Sequence, residues 1–196
     1  MADRAPAPLS PLTVQSLGSG SSGNALLVEY GATAVLVDCG VGIRELGTVA
    51  RHYGRALDSL DAVLVTHEHV DHIRSLGRVT DGATPVVASA GTAKMAGIRA
   101  ERHVLAVPDR PVSVGALTVW TLPVRHDALD PCGFFIETPG GNLTVLTDLG
   151  CWRDNLADAL RHSDLIVLEA NHDLEMLHRG PYPPHLKRRV ASDVGH

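Results

Sequence analysis

Residues 67–72, HEHVDH, put three histidines and an aspartate within six positions, one residue after the apolar run at 62–65. Neutral imidazole and carboxylate are the usual ligands of divalent metals, zinc among them. In extended backbone a two-residue spacing aims His67 and His69 to the same side. Buried without a metal, these groups would leave several polar atoms to satisfy at considerable cost. The expectation is a metal site. One ion cannot use every candidate. His67, His69 and His126 make a three-histidine set. Asp71, His72 and one further histidine make a second, and Asp148 can bridge the two. Two metals about 3.5–4 Å apart hold a shared hydroxide and both oxygens of a phosphoryl displacement. Asp38 is expected to accept the free ring N–H of a ligating histidine; a turn cap is the plainer alternative. His172, in EANHD, is a candidate to bind the scissile phosphate or protonate the leaving oxygen, because histidine titrates near neutrality. Its plainer alternative is a hydrogen bond to Asp173. His52, His103, His162, His178 and His185 lack such company and read as surface or satisfied histidines. Lys187, Arg188 and Arg189, near the predicted site's end of the chain, read as a solvated helix face, with attraction of nucleic acid as the alternative.

The elements that must carry these residues repeat one pattern. An apolar run ends and a ligand-type side chain follows. AVLVDCG delivers Asp38, AVLVTHEHVDH the histidine cluster, LTVWTLPVRHD His126, LTVLTDLG Asp148, and LIVLEANHD Glu169, His172 and Asp173. In layered α/β proteins, sites collect beyond the carboxyl ends of strands. Strands are predicted at 12–17, 25–30, 34–38, 62–65, 85–89, 117–124, 134–138, 143–146 and 165–169. Helices are predicted at 43–53, 91–98, 153–161 and 184–191. The PGGN at 139–142 is a hairpin signal. Hairpins with interleaved helices imply an α/β protein whose mixed sheets are covered by helices, not an all-parallel sheet.

A chain of 196 residues accommodates one domain. The expected division is a loose arm at 1–11 and a domain at 12–196. With 44% hydrophobic but only 4% aromatic residues, the core must be built mainly from Val, Leu, Ala and Ile. The formal charge of -5 argues against non-specific clamping of nucleic acid by a basic surface. Bound cations would add positive charge that this count omits. Cys39, Cys132 and Cys151 form no CxxC pair and read as free thiols or small buried hydrophobes, as in a reducing compartment. No signal peptide is legible, and no stretch approaches the roughly 20 apolar residues of a membrane span. The expectation is a cytoplasmic protein, with no membrane association and no obligate protein partner.

THEHVDH resembles the His-x-His-x-Asp-His signature of the metallo-β-lactamase superfamily. The likeness extends to Asp38 in LVDCG, His126 after a strand, Asp148 in LTDLG and a late Gly-His. SLGSGSSGNA, VDCG, LEANHD, GPYPPHLKRRV and SDVGH further resemble its YycJ-like (WalJ) branch. The resemblance implies an αββα sandwich of two mixed β-sheets with a dinuclear site on its edge. It implies two divalent ions, Zn2+ or Mn2+, and phosphodiesterase chemistry on DNA, expected to be exonucleolytic. The nucleophile would be a hydroxide bridging the metals, with Asp71 and Asp148 holding it. His196 falls where the superfamily's last metal-binding histidine stands. Similar proteins continue beyond that Gly-His into a further helix and strand, so a truncated C-terminus is expected. The loop GSGSSGN at 18–24 reads from composition as a flexible turn; the resemblance brings in Ser21, Ser22 and Asn24 as substrate contacts. The same fold also suits a hydrolase of a small thioester or lactam. A non-catalytic metal-binding module is the third reading.

Overall fold

A computed structural model describes residues 10–169 and 173–195 and contains two β-sheets. Residues 1–9 lie outside that description, so most of the expected arm is not covered by it. The first sheet runs in chain order: β1 (Leu12–Gly18), β2 (Ala25–Tyr30), β3 (Thr33–Val37), β4 (Ala62–Leu64), β5 (Val86–Ala88) and β6 (His103–Leu105). β1, β2 and β3 are antiparallel neighbours, and β3 to β6 are parallel. Parallel neighbours need crossovers. Here they run through α1 (Ile43–His52), then α2 (Val70–Ile73) and α3 (Leu76–Val79), then α4 (Ala90–Met95). The second sheet has the order β11-β10-β9-β8-β7. Its strands are β7 (Val112–Val114), β8 (Leu117–Pro123), β9 (Cys132–Thr138), β10 (Gly141–Leu146) and β11 (Leu165–Leu168). All its pairs are antiparallel except β10 with β11, which α5 (Ala157–Arg161) connects. α6 (Leu174–Arg179) and α7 (Pro184–Val190) follow.

The layers follow from burial. β3, TAVLV, is buried at every position, as a central strand covered on both faces should be. Leu27, Leu36, Val63 and Val86 pack outward against Leu46 and Ala50 of α1, Leu76 and Val79 of α3, and Ala93 of α4. Val28, Val35, Val37, Leu64 and Val87 face the other way and meet Leu117, Val119, Phe134, Ile136, Leu143 and Val145 of the second sheet. Val124 and Leu146 pack on Leu156 beneath α5. At the second sheet's edge, β11 leaves Leu165, Ile166 and Leu168 half-exposed.

Some elements depart from the sequence expectation. β6 and β7 are three residues each, too short to show a period. The segment after His69, expected as a polar loop, forms α2 and α3. Residues 153–161 are not one helix but a 3-10 turn (Asp154–Leu156) leading into α5. α6 was not expected; Asp173 caps it by accepting from the Met176 N–H at 2.9 Å.

Strand direction decides where the chemistry collects. β3 and β4 run the same way. β8 and β10 each run antiparallel to β9, and therefore alike. Their carboxyl ends lead to Asp38, residues 66–69, His126 and Asp148. The two sheets also join there, since the Cys132 N–H donates to the Thr66 carbonyl at 3.0 Å.

Candidate metal centre

Asp38 and Asp148 follow β3 and β10 and both adopt left-handed backbone, with φ of 58° and 52°. Few residues other than glycine do so; aspartate tolerates it better than most. The Asp38 carboxylate is fixed from two sides. The Thr66 N–H donates to one oxygen at 2.9 Å and the Thr66 hydroxyl to the other at 2.8 Å. His72 Nδ1 donates to that second oxygen at 2.7 Å. The Thr66 hydroxyl, its proton committed to Asp38, accepts from His67 Nδ1 at 3.0 Å. Both imidazoles thus carry a proton on Nδ1 and turn Nε2 inward. Glu68 points elsewhere and accepts from the Leu129 N–H at 2.7 Å.

Two groups of ligand atoms converge, each within 4.8 Å: His67, His69 and His126, and His67, His72 and Asp148. All but His69 are buried. His126 Nε2 and His69 Nδ1 lie 3.0 Å apart. One Asp148 oxygen is 2.7 Å from His72 Nε2 and 3.1 Å from His67 Nε2. His67 Nε2 is buried and makes no hydrogen bond. Its lone pair faces a carboxylate oxygen with no proton between them, an arrangement that a cation would stabilise. The paired nitrogens of His69 and His126 can likewise share one proton or one cation. The donor set, imidazole nitrogen with carboxylate oxygen, suits a divalent ion.

The electrostatics agree with the geometry. Burial opposes a charged His72, but Asp38 and Asp148 outweigh it and push its pKa up to about 10. Burial would raise the Asp148 pKa, yet the protonated His72 beside it holds the carboxyl well below the carboxylate range. His69 is lowered by burial and by the neighbouring His67.

Other expected residues are placed as follows. The Asp71 carboxylate lies 3.8 Å from His72 Nε2 and outside both convergent groups. The Asn24 amide is 3.1 Å from the same nitrogen, and its oxygen accepts from the Gly20 N–H at 2.8 Å. Ser21 and Ser22 are exposed, and Arg74 donates to the Ser22 carbonyl at 2.7 Å. The motifs that flank the histidines meet through backbone: Asn24 N–H to the Asp71 carbonyl, Cys39 N–H to the His72 carbonyl, and Gly40 N–H to the Asn24 carbonyl. His172 and His196 lie outside the described residues. Val194, two positions before His196, accepts from the Asp127 N–H at 3.1 Å. A Cβ on Gly150 would collide with Asp193 and Val194.

Sequence reading missed two residues. Thr66 ties the Asp38, His67 and His72 side chains together; its only signal was its place between strand and cluster. Asp127 follows His126 directly. One of its oxygens is 3.3 Å from His126 Nε2 and 3.9 Å from His69 Nε2, and the other accepts from Arg189 Nε at 2.5 Å. That guanidinium holds the Asp127 carboxyl below its ordinary pKa.

A family model described as "Beta-lactamase superfamily domain" matches residues 33–195. The exodeoxyribonuclease WalJ of Streptococcus pneumoniae serotype 2 (strain D39 / NCTC 7466) is 31% identical over 189 residues, covering 92% of this chain and 70% of the relative. The exodeoxyribonuclease YycJ of Bacillus anthracis is 32% identical over 186 residues, with the same coverage. Among solved structures, the metallo-beta-lactamase fold protein YhfI from Bacillus subtilis superposes with a TM-score of 0.69 at 20% identity, covering 83% of this chain and 72% of that one.

Proposed function

Because the chain belongs to the metallo-β-lactamase superfamily and, within it, to the YycJ-like (WalJ) branch, we propose that it is a metal-dependent phosphodiesterase acting on DNA as an exonuclease. The observation that carries this reading is the pair of convergent ligand groups that share His67 and adjoin at Asp148. His67, His69 and His126 would hold one ion. His72, Asp148, Asp71 and His196 would hold the other. Two divalent ions, Zn2+ or Mn2+, would supply Lewis acidity toward water and the phosphoryl oxygens. The names of the two relatives support DNA as the substrate class.

The remaining work falls to the chain's own groups. Asp38 holds the Nδ1–H of His72 and Thr66 that of His67, so both Nε2 atoms face inward, where a metal would take the place of any proton there. Asp148 joins the two sets through one oxygen. Ser21, Ser22 and Asn24 stand on the loop beside His72 and would orient the phosphate, with backbone N–H groups assisting. His172 is assigned the proton for the leaving oxygen.

The test is Asp148→Asn beside Asp148→Ala. Asparagine tolerates the left-handed backbone, so the first removes charge with least disturbance of the turn. Both variants should lose hydrolysis of a 5'-phosphorylated or nicked duplex while keeping the wild-type circular dichroism spectrum. Full activity in either sinks the mechanism. S-lactoylglutathione assayed in parallel separates a thioesterase from a nuclease.

A further inference from the structure

Arg189 lies on α7, which carries Lys187, Arg188 and Arg189 in its last turn and no acidic residue in its first. Its Nε donates to Asp127, whose other oxygen adjoins His126 Nε2. A single carboxylate therefore separates this guanidinium from the three-histidine group. Among the described residues, Nε is the only Arg189 side-chain atom with a hydrogen bond, and the side chain is 51% exposed. The Nη edge, which presents parallel N–H donors, belongs to this half-exposed side chain at the rim of the site. Arginine holds phosphate oxygens through such an edge, two at a time.

The backbone holds this arrangement in place. The Asp127 N–H donates to the Val194 carbonyl, so the chain after α7 is fastened to the same residue that orients Arg189. A Cβ on Gly195 would lie 1.8 Å from the Arg189 carbonyl, so this turn packs directly on the end of the helix.

We infer that Arg189, aimed by Asp127, is a substrate-positioning residue that grips a backbone phosphate next to the one being cleaved. This rests on the phosphodiesterase reading above and extends it to a polymeric substrate. A small diester with a single phosphate has no neighbouring phosphate, so it would not use this contact.

The experiment compares wild type, R189A, R189K and R188A as metal-loaded full chains. Cleavage of a DNA oligonucleotide is measured against cleavage of bis(4-nitrophenyl) phosphate. Oligonucleotide binding is followed by fluorescence anisotropy over a salt series, and metal content is recorded for each variant. R189A should raise KM for DNA about tenfold or more, in line with losing a charge-assisted contact, and lose far less on the small diester. The slope of log Kd against log salt should fall by about 0.9, the value for one phosphate contact. R188A should leave that slope as it is. R189K, which retains a cation for Asp127 but lacks the fork, should recover part of the loss. Equal losses of R189A on both substrates would make Arg189 a structural tie and overturn the inference. So would an unchanged salt slope, or wild-type protein that does not bind DNA. A wild type that binds DNA with the Arg189-dependent slope but cleaves no diester would retain the phosphate contact and remove the catalytic reading.

Discussion

His72 stands between two carboxylates, and that position sets what an incoming ion must displace. Without metal its imidazole is protonated up to about pH 10, held by Asp38 on one side and Asp148 on the other. For a group raised from 6.5 in this way, the stabilisation is complete below about pH 6.5 and is lost as pH rises through about 10. A metal at Nε2 must remove that proton. Metal uptake should therefore release protons, and apparent affinity should rise with pH between about 6 and 9. Calorimetry in buffers of different ionisation enthalpy measures the release; an uptake enthalpy independent of buffer would contradict it. Asp38→Asn should weaken metal binding about 10–100-fold, the usual cost of losing the carboxylate behind a ligating histidine. Competition with a fluorescent chelator reads that loss directly.

The site is assembled by loops that touch through backbone. A Cβ on Gly40 would lie 1.5 Å from the Asp71 carbonyl, so the VDCG turn needs glycine where it passes under α2. Gly40→Ala should destabilise the fold by about 1–3 kcal/mol or more, as overpacking does, and loosen His72 as well. Gly77→Ala on α3, with nothing within 4 Å of its Cβ, is the control and should be neutral or stabilising. Urea denaturation of the two variants tests the pair. This scale also explains what was legible beforehand. HEHVDH could be read because its ligand atoms are dense in sequence, and Asp38, His126 and Asp148 because each closes an apolar run. Thr66 and Asp127 could not, since their roles depend on which ring nitrogen faces which oxygen. Strands of three residues, such as β6 and β7, carry no period to detect, and α2 is a single turn whose start coincides with the end of the histidine pair.

At the scale of the molecule, the two ligand groups span both sheets. His67, His69 and His72 follow β4 of the first sheet; His126 and Asp148 follow β8 and β10 of the second. An ion held between them would fasten one sheet to the other. A ligand present at about 100 times its Kd stabilises by about 2.7 kcal/mol, and each kcal/mol moves the melting point of a chain this size by about 2–4 °C. Chelation should thus lower Tm by about 5–10 °C. Differential scanning calorimetry with and without chelator measures it, and an unchanged Tm would mean that no ion bridges the sheets.

Both sheets also hold their strands in chain order, β1 to β6 and then β7 to β11. A chain emerging from the ribosome completes the pairing of its first sheet once residue 105 is out, before any strand of the second exists. Synthesis at about 5–20 residues per second then leaves that sheet waiting some seconds for its partner. During that interval Val28, Val35, Val37 and Leu64 have no second layer to cover them, and HEHVDH is exposed to the cell's metal pool without His126 or Asp148. Exposed apolar surface of that kind favours aggregation, and a ligand cluster lacking its partners can take up an ion the folded site would not.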